Sequence, residues 1–220
     1  MTSVEFLLLV RGPLFAIATL VMIFGLTLRL FEIFMLGRKA NLAATRAGGT
    51  GPGFRTMFRR FAPVDKATFS QSVLLTIAGY IFHIGLFITV FLYAAHVEII
   101  GSVLGFRWPA LPSPLVDFAA VLTMAALLAL LWRRLTHPVV KYLTKADDLL
   151  VWALTFAPVL TGYLTYHHLV FSYSWLLAVH ILSVELLMVA FPFTKLTHAI
   201  TLFFSRWYTG AIAGEKGVQL

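Results

Sequence analysis

Seven histidines stand in a chain of 220 residues that has no cysteine: His83, His96, His137, His167, His168, His180 and His198. Without thiolates the chain by itself holds no disulfide and no iron–sulfur cluster, so any metal chemistry rests on imidazole and carboxylate. His180 and His198 are 18 positions apart, which on an ideal helix returns to the same face about 27 Å along the axis. His83 and His96 are 13 apart, about 20 Å of helix. If the two carrier helices run antiparallel, His83 lies level with His198 and His96 with His180. Two such levels form a pair of axial bis-histidine sites, the arrangement that holds two hemes. A single histidine in a membrane helix is as readily explained by a hydrogen bond to a neighbouring helix; the matched spacing is what points to ligation. Thirteen residues also turn His96 about 140° away from His83, so its helix must tilt, distort or end before His96. His167 or His168 is the alternative outer ligand. His137 precedes Pro138 in a basic loop and reads as solvated.

The elements that must position these residues are transmembrane. The chain is 60% hydrophobic and 12% charged, with a mean hydropathy of +0.90, far from the roughly 25% charge of a globular domain. Five apolar runs, about 13–36, 72–95, 115–132, 149–166 and 173–194, each approach the ~20 residues that cross a bilayer core as a helix. The expected fold is an all-α bundle of five spans forming a single domain over residues 1–220. The first run is not a removable signal, because its basic cluster follows it and no small-residue cleavage site closes it; Gly12 and Pro13 are expected to open its helix.

The net charge of +8 gathers between alternate runs, so it reads as loop charge facing anionic headgroups, not as a nucleic-acid surface. Arg38, Lys39, Arg46, Arg55, Arg59, Arg60 and Lys66 follow the first run, and Arg133, Arg134, Lys141 and Lys145 follow the third. The loop between the second and third offers only Glu98 and Arg107, and the one between the fourth and fifth offers no Lys or Arg. The positive-inside rule then sets the N-terminus outside and the C-terminus in the cytoplasm. The run from Ala47 to Gly53 reads as a flexible breaker, and Trp108 to Pro114 as a stiff outer connection.

Further residues bear on the same chemistry. Glu185 lies inside the fifth run, where an acid marks a functional pathway by default; it either serves a ligand histidine or carries protons, with a neutral packing role as the alternative. Gly79, one turn before His83, and Gly85 leave room for a flat ring or for a packed neighbouring helix. Arg29 and Glu32 are within reach of a heme propionate, although an arginine at that depth also snorkels; Lys195 has the same two readings.

The stretches Gly79-Tyr80-Ile81-Phe82-His83-Ile84-Gly85, Val179-His180 and Ala190-Phe191-Pro192-Phe193-Thr194-Lys195-Leu196-Thr197-His198 resemble the cytochrome b (gamma) subunit family of respiratory nitrate reductase. They are similar, too, to the membrane anchors of heterodisulfide-reductase-like and sulfite-reduction-associated complexes. The resemblance spans all five helices, with its specific motifs on the second and fifth. It implies a quinol-linked electron conduit in a prokaryotic inner membrane with two heme b groups, the inner held by His83 and His198 and the outer by His96 and His180. Tyr93 stands where the nitrate reductase spacing calls for histidine, which favours the broader relatives. The resemblance further implies a quinone site near the outer heme, where Arg107 and Glu98 lie together with Trp108, and partners in a cytoplasmic iron–sulfur subunit and its catalytic subunit. The chain itself would transfer electrons, with no catalytic residue of its own. The competing expectation is a non-redox anchor or small transporter whose intramembrane His and Glu serve packing or proton transfer.

Overall fold

The computed structural model describes residues 2–35, 43–62 and 66–218; Leu36, Arg38 and Lys39 lie outside them. Every regular element among these residues is helical. Five helices are long and apolar enough to cross a membrane. They are α1 (Ser3–Met35), α4 (Val73–Phe91), α6 (Ser113–Thr136), α8 (Ala146–Tyr166) and the segment Tyr173–Phe193, whose α-helical part is α9 (Tyr173–Ala190). Between and after them lie α2 (Thr50–Arg59), α3 (Lys66–Gln71), α5 (Ala94–Leu104), α7 (Pro138–Leu143) and α10 (His198–Glu215). The protein is a multi-pass integral membrane protein, as an inner-membrane location requires.

Helix α1 begins ten residues before the expected opening at Pro13. Thr2 and Glu5 form a reciprocal capping box that starts the helix at Ser3, and a π-helical turn over Val10–Leu14 takes up Pro13 inside it. The Ala47–Gly53 run is likewise not all loop, since α2 starts within it behind Gly49.

The chain clusters into two compact units. In the first, residues 1–19 and 72–188, α6 packs on α4 where Gly85 has no side chain. A Cβ there would collide with the Thr123 hydroxyl and reach the Ala119 carbonyl at 3.0 Å, so Gly85 serves helix packing. Helix α8 is tied to α6 by Trp152, whose Nε1 donates to the Leu127 carbonyl at 2.9 Å. Asp148, in the first turn of α8, pairs with Arg134 at 3.2 Å.

In the second unit, residues 20–71 and 189–220, Pro192 sits against Gly25 so closely that a Cβ on the glycine would lie 2.5 Å from the proline ring. Arg29 donates from Nε to the Pro192 carbonyl at 3.0 Å and pairs with Glu32 at 2.9 Å, so those two side chains hold each other. Helix α2 packs on α10 through Gly53, Thr56, Gly210 and Gly214; a Cβ on Gly210 would lie 2.5 Å from Thr56 Cβ. Helices α2 and α10 are separated along the chain by four of the long apolar helices.

Two breaks shape the segments that carry the histidines. Helix α4 ends at Phe91; Tyr93 is extended, and α5 restarts at Ala94. The break is fastened by Trp108, whose Nε1 donates to the Phe91 carbonyl at 2.6 Å, and by the Leu111 amide, which donates to Leu92. Gly105, at φ +80°, closes α5 in the left-handed conformation that glycine adopts without penalty. The second break corrects the expected register of His180 and His198. After Ala190 the chain makes a 3₁₀ turn over Phe191–Phe193, extends at Thr194, makes another over Lys195–Thr197 and starts α10 at His198. Proline has no N–H to continue the helix, and Thr194 caps the restart by accepting from the Leu196 amide. The two histidines therefore do not share one ideal helix.

Candidate functional site

The break after α4 re-aims His96. Its ring and that of His180 come to 6.1 Å between centres, with planes 17° apart. His96 is half-buried at the start of α5 and His180 half-buried in the second turn of α9. Two imidazoles bound to opposite sides of one metal, at about 2.0 Å per bond plus the depth of each ring, have centres about 6 Å apart. The two rings stand at about that distance, stacked nearly parallel.

The hydrogen bonds around the pair fix which nitrogen carries the proton. His96 Nδ1 lies 2.8 Å from the Thr89 carbonyl. A carbonyl only accepts, so Nδ1 must donate and the neutral ring keeps its lone pair on Nε2. Burial pushes the His96 imidazole below its ordinary value against the pull of this bond, which favours the neutral ring. The His180 ring bonds the Pro158 carbonyl, and its Nδ1 is 3.3 Å from Thr161 Oγ1. Thr161 donates to the Ala157 carbonyl at 2.7 Å, so toward His180 its oxygen accepts. The same tautomer is thereby selected. Ligating histidines are held in this way, by a hydrogen bond from the nitrogen that does not face the metal.

The remaining wall is built from small and aromatic residues. Gly162 lies beneath His180: a Cβ there would come within 3.0 Å of His180 Cε1 and 3.3 Å of Nδ1. Tyr93 meets His96 edge-on at 5.2 Å and Tyr166 at 6.1 Å. On the faces of α8 and α9 that carry Thr161 and Val179, an apolar cleft of about 410 Å³ opens, lined also by Leu164, Phe171, Trp175 and Leu176. Neither His96 nor His180 is among the residues that line this cleft. Among the described residues no cluster of three or more His, Asp or Glu gathers to hold a metal ion; an axial pair needs only two.

A curated protein of Nitratidesulfovibrio vulgaris (strain Hildenborough), described simply as "Protein", is 30% identical over 207 residues, which cover 90% of this chain and 89% of the relative. This chain belongs to that protein's family. No family model matches the chain, and no solved structure does.

The other residues expected to act are placed in separate settings in this family member. His83 is exposed on α4 and donates from Nδ1 to the Gly79 carbonyl at 2.7 Å; open space flanks Gly79 where a Cβ would stand. His198, exposed in the first turn of α10, bonds the Lys195 carbonyl at 2.7 Å. These two lie in different units, each with the tautomer of the His96–His180 pair. His167 is engaged elsewhere, its Nε2 2.7 Å from Asp117 Oδ1, and His168, at φ 54°, stacks on Tyr173. Glu98 and Arg107 pair with each other at 2.8 Å in an exposed bridge. Glu185 is 4% exposed, and neither carboxyl oxygen has a hydrogen-bond partner among the described residues. Sequence reasoning missed Gly162, Thr89, Pro158 and Thr161. A glycine between Thr161 and Tyr163 in an apolar run carries no signal of the ring it faces, and backbone carbonyls carry none at all.

Proposed function

We propose that this chain is the membrane-embedded electron-transfer subunit of a quinol-linked oxidoreductase complex, carrying heme b between His96 and His180. The observation that supports this reading is their 6.1 Å, near-parallel spacing, with Nδ1 of His96 on the Thr89 carbonyl and Nδ1 of His180 on the Thr161 hydroxyl. Bound between such ligands, heme iron supplies one-electron redox chemistry. The chain's own part would be to offer two neutral imidazoles to the group, with Tyr93 packed edge-on against His96. On the sequence reading a second heme b is held by His83 and His198. The orientation with N-terminus outside and C-terminus in the cytoplasm belongs to the same proposal, resting on the placement of Lys and Arg. So do a quinone near the Glu98–Arg107 bridge and a cytoplasmic iron–sulfur partner with its catalytic subunit.

A second reading, a non-redox anchor or small transporter, has support of its own. Thr161, Ser183 and His180 form a hydrogen-bonded group within the bundle, with Thr161 Oγ1 3.0 Å from Ser183 Oγ, and the His167–Asp117 pair joins α8 to α6. These contacts serve packing or proton transfer at least as well as they serve ligation. The two readings part on purification. A heme protein is red and gives a reduced-minus-oxidised b-type spectrum, and His180→Ala removes one of its hemes. A colourless protein from heme-replete cells refutes the electron-transfer reading and leaves the second.

A further inference from the structure

Helix α2 has three distinct faces. Gly53 and Thr56 are buried against α10. Phe54 and Phe58 fall within a narrow arc at 100° per residue and are 52% and 64% exposed, whereas Phe61, just past the helix end, packs on Phe203 beneath Arg206. Arg55 and Arg59 occupy the arc beside them, also exposed, and no acid lies between Thr50 and Ala62. A helix pair in water would bury such a row of phenylalanines. Here, however, α2 is tethered between two spans, and α10 is fastened to the end of one of them: Phe204 packs edge-on against Phe34 of α1 at 5.6 Å, one residue before α1 ends. That contact holds the helix pair beside the C-terminal end of the first apolar helix.

We propose that α2, seated on α10, lies in the membrane interface as a binding surface for anionic phospholipid. Phe54 and Phe58 enter the boundary of the acyl chains, and Arg55 and Arg59 engage the headgroup phosphates. An aromatic arc flanked by a basic one is the pattern of interfacial helices. Basic residues next to a membrane are drawn to anionic leaflets, and guanidinium groups match phosphate geometry. The packed third face serves a purpose in this setting. It fixes the rotation of α2 about its axis, so that the phenylalanines cannot turn toward water. The proposal is independent of whether the chain carries heme.

The chain has no cysteine, so Phe58→Cys in the full-length protein gives a unique thiol for a nitroxide label. The labelled protein is placed in nanodiscs of phosphatidylcholine, or of phosphatidylcholine with phosphatidylglycerol. Collisions with oxygen and with a water-soluble nickel chelate are then compared by electron paramagnetic resonance. The expected result is a label reached by oxygen and shielded from nickel, the more so with phosphatidylglycerol. The phosphatidylglycerol fraction giving half the effect rises about fivefold for each of Arg55→Gln and Arg59→Gln. A label open to nickel in both discs overturns the proposal, and so does one shielded from both reagents, which means a protein covers the face. Insensitivity to phosphatidylglycerol and to both arginine substitutions overturns it equally.

Discussion

Gly162→Ala tests the His96–His180 site without touching either ring. The new Cβ would stand 3.0 Å from His180 Cε1 and 3.3 Å from Nδ1, whereas carbon atoms rest at about 3.5–4.0 Å. The imidazole must therefore move by about 0.5 Å away from α8, or the helices must part, and such overpacking costs about 1–3 kcal/mol. Alanine is the better helix former by about 1 kcal/mol, so α8 itself does not weaken and the loss falls on the ring. If His180 binds heme iron, the displacement weakens that heme by about 5–150-fold and leaves any other heme in place as an internal control for folding. Heme per polypeptide is measured by pyridine hemochrome on detergent-purified protein, with reduced-minus-oxidised spectra and redox titration alongside. Wild-type heme content, spectrum and midpoint potentials in Gly162→Ala would refute the assignment of His180 as a ligand held at this position.

Four further outcomes are expected. His96→Ala and His180→Ala each abolish the same spectral component, and the double variant loses no more than either single one; loss of two different components separates the residues into different sites. Asp117→Asn leaves heme content unchanged and lowers the thermal midpoint only slightly, because a partly exposed pair contributes about 0–1 kcal/mol; heme loss in this variant would move the outer ligand to His167. Gly25→Ala destabilises the fold by about 1–3 kcal/mol, since the rigid Pro192 ring cannot yield, and an unchanged melting curve would contradict that contact. Thr2→Ala removes the cap of α1 at a cost of about 0.5–2 kcal/mol, seen as faster amide exchange over Ser3–Leu7 and nowhere else.

The spans were legible in the sequence because lipid imposes a length and a composition on any helix that crosses it. What hydropathy does not encode is where a helix stops being ideal. Pro13 reads as a helix start, yet Thr2 and Glu5 cap an earlier one, and a π turn absorbs the proline. Pro192 also stands in plain view, and reading it as a break would have shown that His180 and His198 cannot share a straight axis. The need for the second apolar run to deform before His96 follows from the 140° mismatch, and the structure meets it by ending α4 at Phe91. The tail after the fifth span gave no sign of its contacts, because glycines such as Gly210 and Gly214 declare their purpose only when the helix they face is known. Glu98 and Arg107 were noticed as separate charges, and their ion pair depends on the fold of the loop between them.

The packing of α2 on α10 also has a consequence for biogenesis. Roughly 150 residues of chain separate Gly53 from Gly210, so at about 5–20 residues per second the ribosome delivers the second glycine about 8–30 s after the first. For that interval the face of α2 bearing Gly53 and Thr56 has no α10 to cover it, while four spans are still being inserted. Helix α10, which fastens α2, thus emerges only after those four spans, and a chain truncated before His198 would keep its spans but leave α2 without its seat.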